Sequence, residues 1–160
     1  MISRCGARSL RARGFTLIEA MVVVALITIV STLAAPSFGS LIGTMRARTA
    51  ASDLVLDLTL ARSEAIKRNA DVLVAPVTAG DWSGGWQVTS AGTVLKTRPA
   101  SGVVTFTGLA GGLTFQSNGR TGNIAENATW TVASPSAGAT PRCIIVGPTG
   151  SARAKAGACV

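Results

Sequence analysis

Histidine is absent from this chain of 160 residues, and cysteine occurs only three times. Without histidine, so few cysteines cannot supply the four ligands of an ordinary zinc site, and we expect no metal and no cofactor. The carboxylates are few and dispersed, and no nucleophile has a partner base. Ser63 and Glu64 are adjacent, but we interpret them as solvated residues of a helix. The sequence therefore predicts a protein that is not an enzyme.

Acidic residues are also missing ahead of Glu19, whereas arginine occupies positions 4, 8, 11 and 13. Residues 15–35 form an apolar run of 21 residues with one charge, Glu19. A helix of that length spans about 31 Å, close to the hydrocarbon thickness of a bilayer, and the arginines favour a cytoplasmic N-terminus. A secretory signal with a cleavage region at 31–35 is an alternative. A plain signal anchor is another, although a carboxylate inside the run disfavours it.

The junction Gly14-Phe15-Thr16-Leu17-Ile18-Glu19 resembles the processing site of type IV pilins and type II secretion pseudopilins. The resemblance implies cleavage after Gly14 by a prepilin peptidase and N-methylation of Phe15. It implies a single-pass protein of the bacterial inner membrane, with a periplasmic head, that assembles with other pilin or pseudopilin subunits into a pilus or pseudopilus. Glu19 would pair with the amine of Phe15 in a neighbouring subunit; alternatively, it only favours the positive end of a helix dipole.

The pattern after residue 35 predicts an α+β fold. An apolar helix face is indicated by residues three and four apart, namely Ala51, Leu54, Leu58, Ala61 and Ala65. We expect one long helix from Phe15 to about Arg68, stopping at Asn69, with a transmembrane half and an amphipathic half that packs on a β-rich domain. The predicted parts are a leader (1–14), a transmembrane or filament-core helix (15–35), an amphipathic helix (36–69) and a β-rich pilin head (70–160).

Seven β-prone runs follow Asn69, separated by Gly, Pro, Ser and Asn. The runs are Asp71–Val77, Gly85–Ser90, Thr93–Arg98, Val103–Thr107, Leu113–Ser117, Ala128–Ala133 and Cys143–Gly147. Turns are predicted between them, including Ala79–Asp81, Ser83–Gly85, Ala91–Gly92 and Asn118–Gly119.

Three further segments are similar to the GspH/FimT family, at residues 61–69, 82–88 and 113–119. The family comprises FimT-type minor pilins of type IV pili and GspH-type minor pseudopilins of type II secretion. We expect Trp82 and Trp86 to anchor a hairpin against the helix rather than stack on bases, and Phe115 to lie in the core.

The part of the chain from Trp82 onward is basic, because Glu126 is its only acidic residue. Its cations are Lys96, Arg98, Arg120, Arg142, Arg153 and Lys155. This asymmetry favours an acidic partner, with ordinary solubilising charge as the alternative.

FimT-type members implicated in DNA uptake carry arginines after a glycine near the chain end. The matching stretch is Gly147–Lys155, although Ser151 stands where the family pattern has arginine after Gly150. Arg153 and Lys155 are two apart, so both point to one side of an extended segment. Arg142 and Arg120 extend this predicted patch. Such contacts read phosphates and not bases, which predicts sequence-independent, salt-sensitive binding of double-stranded DNA.

Cys143 and Cys159 remain once the leader, with Cys5, is removed. In an oxidising compartment we expect them to form a disulfide that closes a loop around the basic residues; two free thiols are the alternative.

The sequence thus favours a FimT-like minor pilin that binds DNA for uptake in natural transformation. The alternatives are a GspH-like pseudopilin and a pilus-priming minor pilin without DNA binding.

Overall fold

The computed structural model describes residues 15–160, without the side chains of residues 33–37. The predicted leader (1–14), with the cleavage position Gly14, lies outside the described residues. The chain divides after Pro36 into two compact units, and we call the second, Ser37–Val160, the globular unit. Helix α1 extends over Leu17–Arg68, so it begins at Leu17 rather than at Phe15 and ends where the sequence predicts.

The start of α1 is capped by Thr16, whose hydroxyl oxygen accepts a 3.3 Å hydrogen bond from the backbone N–H of Glu19. Glu19 lies in the first turn, where the helix dipole favours a carboxylate. The large apolar side chains between Leu17 and Val30, which belong to the first unit, are exposed. Among the residues whose side chains the structure describes, 15–32 and 38–160, no helix combines the length and the apolarity that crossing a membrane requires.

The predicted apolar face of α1 is confirmed in the globular unit, because its five residues are all fully buried. Asp57 is fully buried as well, so the buried face of this helix includes a carboxylate. The helix ends at Asn69, which has a positive φ of 49°. The next N–H, that of Ala70, donates a 3.2 Å hydrogen bond to the carbonyl of Ala65. The predicted helix stop is therefore confirmed.

The described residues after α1 form two four-stranded antiparallel sheets. Sheet A has the order β3-β2-β1-β5 and consists of β1 (Val72–Thr78), β2 (Asp81–Ser90), β3 (Thr93–Pro99) and β5 (Leu113–Phe115). Sheet B has the order β4-β6-β7-β8 and consists of β4 (Thr105–Gly108), β6 (Ala128–Ala133), β7 (Arg142–Val146) and β8 (Ala152–Ala156). In β6 of sheet B, buried residues alternate with half-buried residues, as expected for a strand with one face toward the core.

Each of the seven predicted runs coincides with part of a strand, and β6 has the predicted limits. The predicted turn at Ser83–Gly85 is wrong, since these residues lie inside β2. Gly85 has a φ of +95°, and a Cβ there would lie 2.4 Å from the carbonyl oxygen of Arg98. The glycine thus permits β2 and β3 to approach each other, and does not end a strand. The eighth strand, β8, lies where the sequence predicts a loop.

Tryptophans form the centre of the core between α1 and the two sheets. The ring centroid of Trp82 lies 5.2 Å from that of Trp130 and 6.3 Å from that of Trp86. The indole N–H of Trp86 donates to Asp57 of α1 at 3.0 Å, which confirms that this hairpin is anchored on the helix. Phe115 is fully buried, as predicted. The chain therefore has the predicted α+β class, a long helix with a β-rich domain.

Candidate nucleic-acid interface

Two of the six C-terminal cations, Lys96 and Arg98 of β3, point toward the helix. The pairing of β2 with β3 shifts by one residue, so that Thr89 faces Val94 whereas Val88 faces Lys96. Leu95 is the extra residue of this bulge. Because Val88 is fully buried, the bulge turns Lys96, and with it Arg98, to the inner face of sheet A.

Both cations bind the buried carboxylate of Asp57. Lys96 Nζ lies 2.6 Å from one carboxylate oxygen, and Arg98 Nε lies 3.1 Å from the other. Arg98 also lies 3.6 Å from the carboxylate of Asp53, one helical turn earlier. Burial by itself raises the pKa of Asp57, but hydrogen bonds from Arg98, Lys96 and Trp86 outweigh it and hold the pKa below its ordinary value. These two cations therefore stabilise the junction of helix and sheet and are not offered to a partner.

Arg153 and Lys155 lie on β8, the outermost strand of sheet B. Arg153 is paired with Ile145, and Lys155 with Cys143. The core residues Ile144 and Val146 alternate with these partners along β7, so both cations project from the opposite, outer face. Both are exposed, and neither forms an ion pair within residues 15–160. Arg153 and Lys155 therefore lie on the same face of β8, as predicted.

The disulfide predicted between Cys143 and Cys159 is present. The segment that it closes is a β-hairpin of β7 and β8, and the expected loop is a paired strand. The backbone N–H of Cys159 also donates to the hydroxyl of Thr131 in β6 at 3.0 Å. Two strands, β6 and β7, thus hold the residues that follow β8, which limits the conformational freedom of the backbone at Lys155.

Arg142 is not brought together with Arg153 and Lys155. It is paired with Val132, which is fully buried, so its side chain lies on the inner side of sheet B. Its Nε is buried and has no hydrogen-bond partner among the described residues. Arg142 and Arg153 therefore lie on opposite faces of sheet B, and the predicted patch does not extend to Arg142 on the face of Arg153.

Arg120 is an exposed residue of the turn that follows β5 of sheet A. Its N–H donates to the side-chain oxygen of Asn118 at 2.9 Å, and Gly119 adopts a positive φ of 77°. The next residue, Thr121, donates both its N–H and its hydroxyl to the carbonyl of Pro148 at 3.2 Å. Pro148 belongs to the turn between β7 and β8, so Arg120 adjoins the hairpin that carries Arg153. The sequence separation of 27 residues concealed this proximity.

The residues predicted for processing and assembly lie apart from these sites. Phe15 and Glu19 are exposed, and Glu19 forms no ion pair within the described chain. No group of three or more potential metal-ligating residues occurs among the residues that the structure describes.

Comparison with known families supports the N-terminal and the globular resemblance separately. The profile of the prokaryotic N-terminal methylation motif matches residues 9–35. This motif implies processing by a prepilin peptidase and assembly with other pilin subunits. No curated protein matches the chain in sequence.

The fold is shared with the type IV minor pilin FimU of Pseudomonas aeruginosa strain PAO1. One crystal structure, in space group P65, has 21% identity and a TM-score of 0.59, and the match covers 71% of this chain and 99% of FimU. A second, in space group P21, has 20% identity and a TM-score of 0.60, with 71% and 94% covered. The family described as type II transport protein GspH matches residues 50–150, from α1 to the turn before β8. The chain therefore belongs to the GspH family of the pilin and pseudopilin superfamily.

Proposed function

We propose that this chain is a minor pilin of the FimT type that joins a type IV pilus and binds double-stranded DNA for uptake in natural transformation. The observation that carries the proposal is the pair Arg153 and Lys155, exposed on one face of an edge strand and without ion pairs among the described residues. Phosphate oxygens are suitable partners for two such cations. A contact between these two side chains and phosphate oxygens carries no base specificity, because every nucleotide presents the same phosphate.

The preorganisation of β8 supports the same proposal. The hairpin with β7, the disulfide and the bond to Thr131 order the strand before any ligand binds. Ordering before binding lowers the entropic cost of association. Arg120 lies beside the turn of this hairpin and adds a third cation, whereas Arg142 is directed inward and contributes at most at the sheet edge.

The assembly of the subunit follows from its N-terminal part. We propose cleavage after Gly14, N-methylation of Phe15 and insertion of residues 15–35 in the inner membrane before assembly, with residues 36–69 and 70–160 in the periplasm. In the filament, Glu19 would pair with the amine of Phe15 of a neighbouring subunit. The match of the methylation motif and the exposed apolar side chains of this segment support these steps.

DNA binding is tested with the mature chain, residues 15–160, in detergent micelles and a fluorescent duplex of arbitrary sequence. Replacing Arg153 and Lys155 together by Gln should weaken binding about 10- to 100-fold at low salt, as expected for two lost phosphate contacts. The matched control replaces Arg46 and Arg48 by Gln, because they too are exposed, two residues apart and without ion pairs in the described chain. Equal effects of the two double variants would contradict the assignment, and no binding by the wild type would remove the DNA role.

A second candidate function is that of a minor pseudopilin in a type II secretion filament. The observation that favours it is the family match itself, which is to type II transport protein GspH. This function needs the assembly residues but no basic face. Wild-type filament incorporation without any DNA binding would support it.

A further inference from the structure

Arg62 of α1 lies against two turns that come from distant parts of the chain. A Cβ placed on Gly119 would lie 3.3 Å from Arg62 Nε, and so would a Cβ placed on Gly150. Both glycines have positive φ, 77° and 78°, so the absence of a side chain allows the arginine to lie beside them. Arg62 is half-buried. Its Cδ and Nε therefore lie against the two turns, while part of the residue remains accessible to solvent.

Arg62 has no counter-ion in the part of the chain that the structure describes. It forms no ion pair or side-chain hydrogen bond within the described residues. The cause lies in the helix, since the residues three and four positions away are Leu58, Thr59, Ala65 and Ile66. Lys67 and Arg68, by contrast, both have Glu64 within this spacing and bind it.

The two turns beside Arg62 are fixed to each other; we call residues 116–121 and 147–151 the paired turns. The double donation from Thr121 to Pro148 links them. A Cβ on Gly150 would lie 2.1 Å from the carbonyl oxygen of Gly119, so the backbones are in close contact. Within each turn, Gly119 N–H donates to Gln116 at 2.8 Å and Gly150 N–H donates to Gly147 at 2.9 Å.

Three cations adjoin the paired turns from three elements. Arg62 comes from α1, Arg120 from the first turn, and Arg153 from β8, two residues beyond the second turn. None of them is paired with a carboxylate, and Glu126, which precedes the Asn127 amide beside Gly147, forms no ion pair in the described chain. The surface is thus positive, rigid and built before a ligand arrives.

We propose that Arg62 and Arg120 form a second phosphate-contact site at the paired turns, adjoining Arg153. The inference rests on the proposed function, because it adds contacts for the same double-stranded DNA. The sequence did not indicate Arg62, which stands among polar residues off the apolar helix face. The contacts of Cδ and Nε with the two turns restrain this side chain, so that less side-chain entropy is lost when phosphate binds.

The test measures duplex binding by the mature chain in detergent over a range of salt concentrations. Each phosphate contact contributes about 0.9 to the slope of log affinity against log salt. Arg62→Gln and Arg120→Gln should each reduce this slope by about 0.9 and weaken binding several-fold, and the double variant should reduce it by about 1.8. Arg48→Gln is the matched control on the same helix, an exposed arginine without an ion pair among described residues, and should leave the slope unchanged.

A role of Arg62 in packing alone would not change the salt slope. Arg62→Lys keeps the charge and most of the stem, so it should keep the wild-type slope. If Arg62→Gln does not fold, Arg120→Glu, at an exposed position, takes its place and should lower both affinity and slope. Wild-type slopes in Arg62→Gln and Arg120→Gln, with weakened binding in the Arg153 and Lys155 variant, would overturn the inference but not the proposed function. Absence of binding by the wild type would overturn both.

Discussion

Two edge strands carry nearly the same basic tripeptide with opposite consequences. Strand β3 contains Lys96-Thr97-Arg98 and strand β8 contains Arg153-Ala154-Lys155. The first pair points inward and binds the carboxylates of Asp53 and Asp57, whereas the second points outward and binds no carboxylate of the described chain. The two pairs carry the same charge, but Lys96 and Arg98 are already bound to carboxylates. Arg153 and Lys155 are therefore the pair that is available to a partner.

The different orientation and pairing of the two pairs come from the inserted residue Leu95 in β3 and from Asp57 in α1. Without the bulge at Leu95, Lys96 would lie on the same face as the exposed Val94. Asp57 then gives the inward-facing cations a buried partner, which offsets the cost of removing charge from water. Strand β8 has regular pairing with β7 and only alanines between and beside its cations.

The largest expected effect comes from removing the carboxylate that binds Lys96 and Arg98, which we call the inward pair. Asp57→Ala should destabilise the globular unit by about 3 kcal/mol, because Lys96 and Arg98 would be left near the core without their main partner. Both cations are partly exposed, so the cost stays below that of a fully enclosed pair. Urea unfolding of the mature chain in detergent, followed by tryptophan fluorescence, measures the change.

The control for this prediction is Asp53→Ala. Asp53 is partly exposed and lies 3.6 Å from Arg98, so its loss should cost less than about 1 kcal/mol. Equal losses at Asp53 and Asp57 would mean that burial of the carboxylate does not decide the strength of this network.

Lowering the pH should weaken the inward pair while leaving the charge of the outward pair unchanged. The pKa of Asp57 is held below its ordinary value, so the unfolded chain takes up the proton at a higher pH than the folded chain. The contribution of Asp57 is therefore complete above about pH 5 and is lost as the pH falls below about 4, through the folded pKa.

The measurement compares urea unfolding of the wild type and Asp57→Asn from about pH 5 to below about pH 4, where the contribution of Asp57 is lost. Arg68 also lowers the pKa of Glu64, which is present in both proteins, so the difference between them removes its share. Parallel curves for the wild type and Asp57→Asn would show that Asp57 does not carry the pH dependence.

Much of the fold could be predicted because its patterns are local. The spacing from Ala51 to Ala65 has the helical period, and Ala128–Ala133 alternates between buried and half-buried residues as a strand with one core face should. Positive φ at Ala91 and Gly92 fits the tight turn between β2 and β3. The disulfide could be predicted because only Cys143 and Cys159 remain once the leader, with Cys5, is removed.

The features that separate the two basic pairs depend on tertiary contacts. Strand β8 is composed of alanine, arginine and lysine, which have low β-propensity, and it is a strand because β7 supplies its hydrogen bonds. Asp57 interrupts an otherwise apolar helix face, a signal for a buried partner, but its partner cations follow some forty residues later on a bulged strand. Arg62 lies beside both Gly119 and Gly150 because these two glycine turns touch.

The smallest expected effects come from one substitution in each edge strand, and they separate the two pairs most directly. Lys96→Met should cost about 1 kcal/mol of stability, because Arg98 continues to bind Asp57, and it should leave DNA affinity unchanged. Lys155→Met should change stability by less than about 0.5 kcal/mol, as usual for an exposed residue, and lower DNA affinity several-fold. Unfolding and duplex binding are measured on both proteins. Loss of DNA affinity in Lys96→Met at full folding would mean that the inward pair is also open to a partner, and the distinction between the two strands would fail.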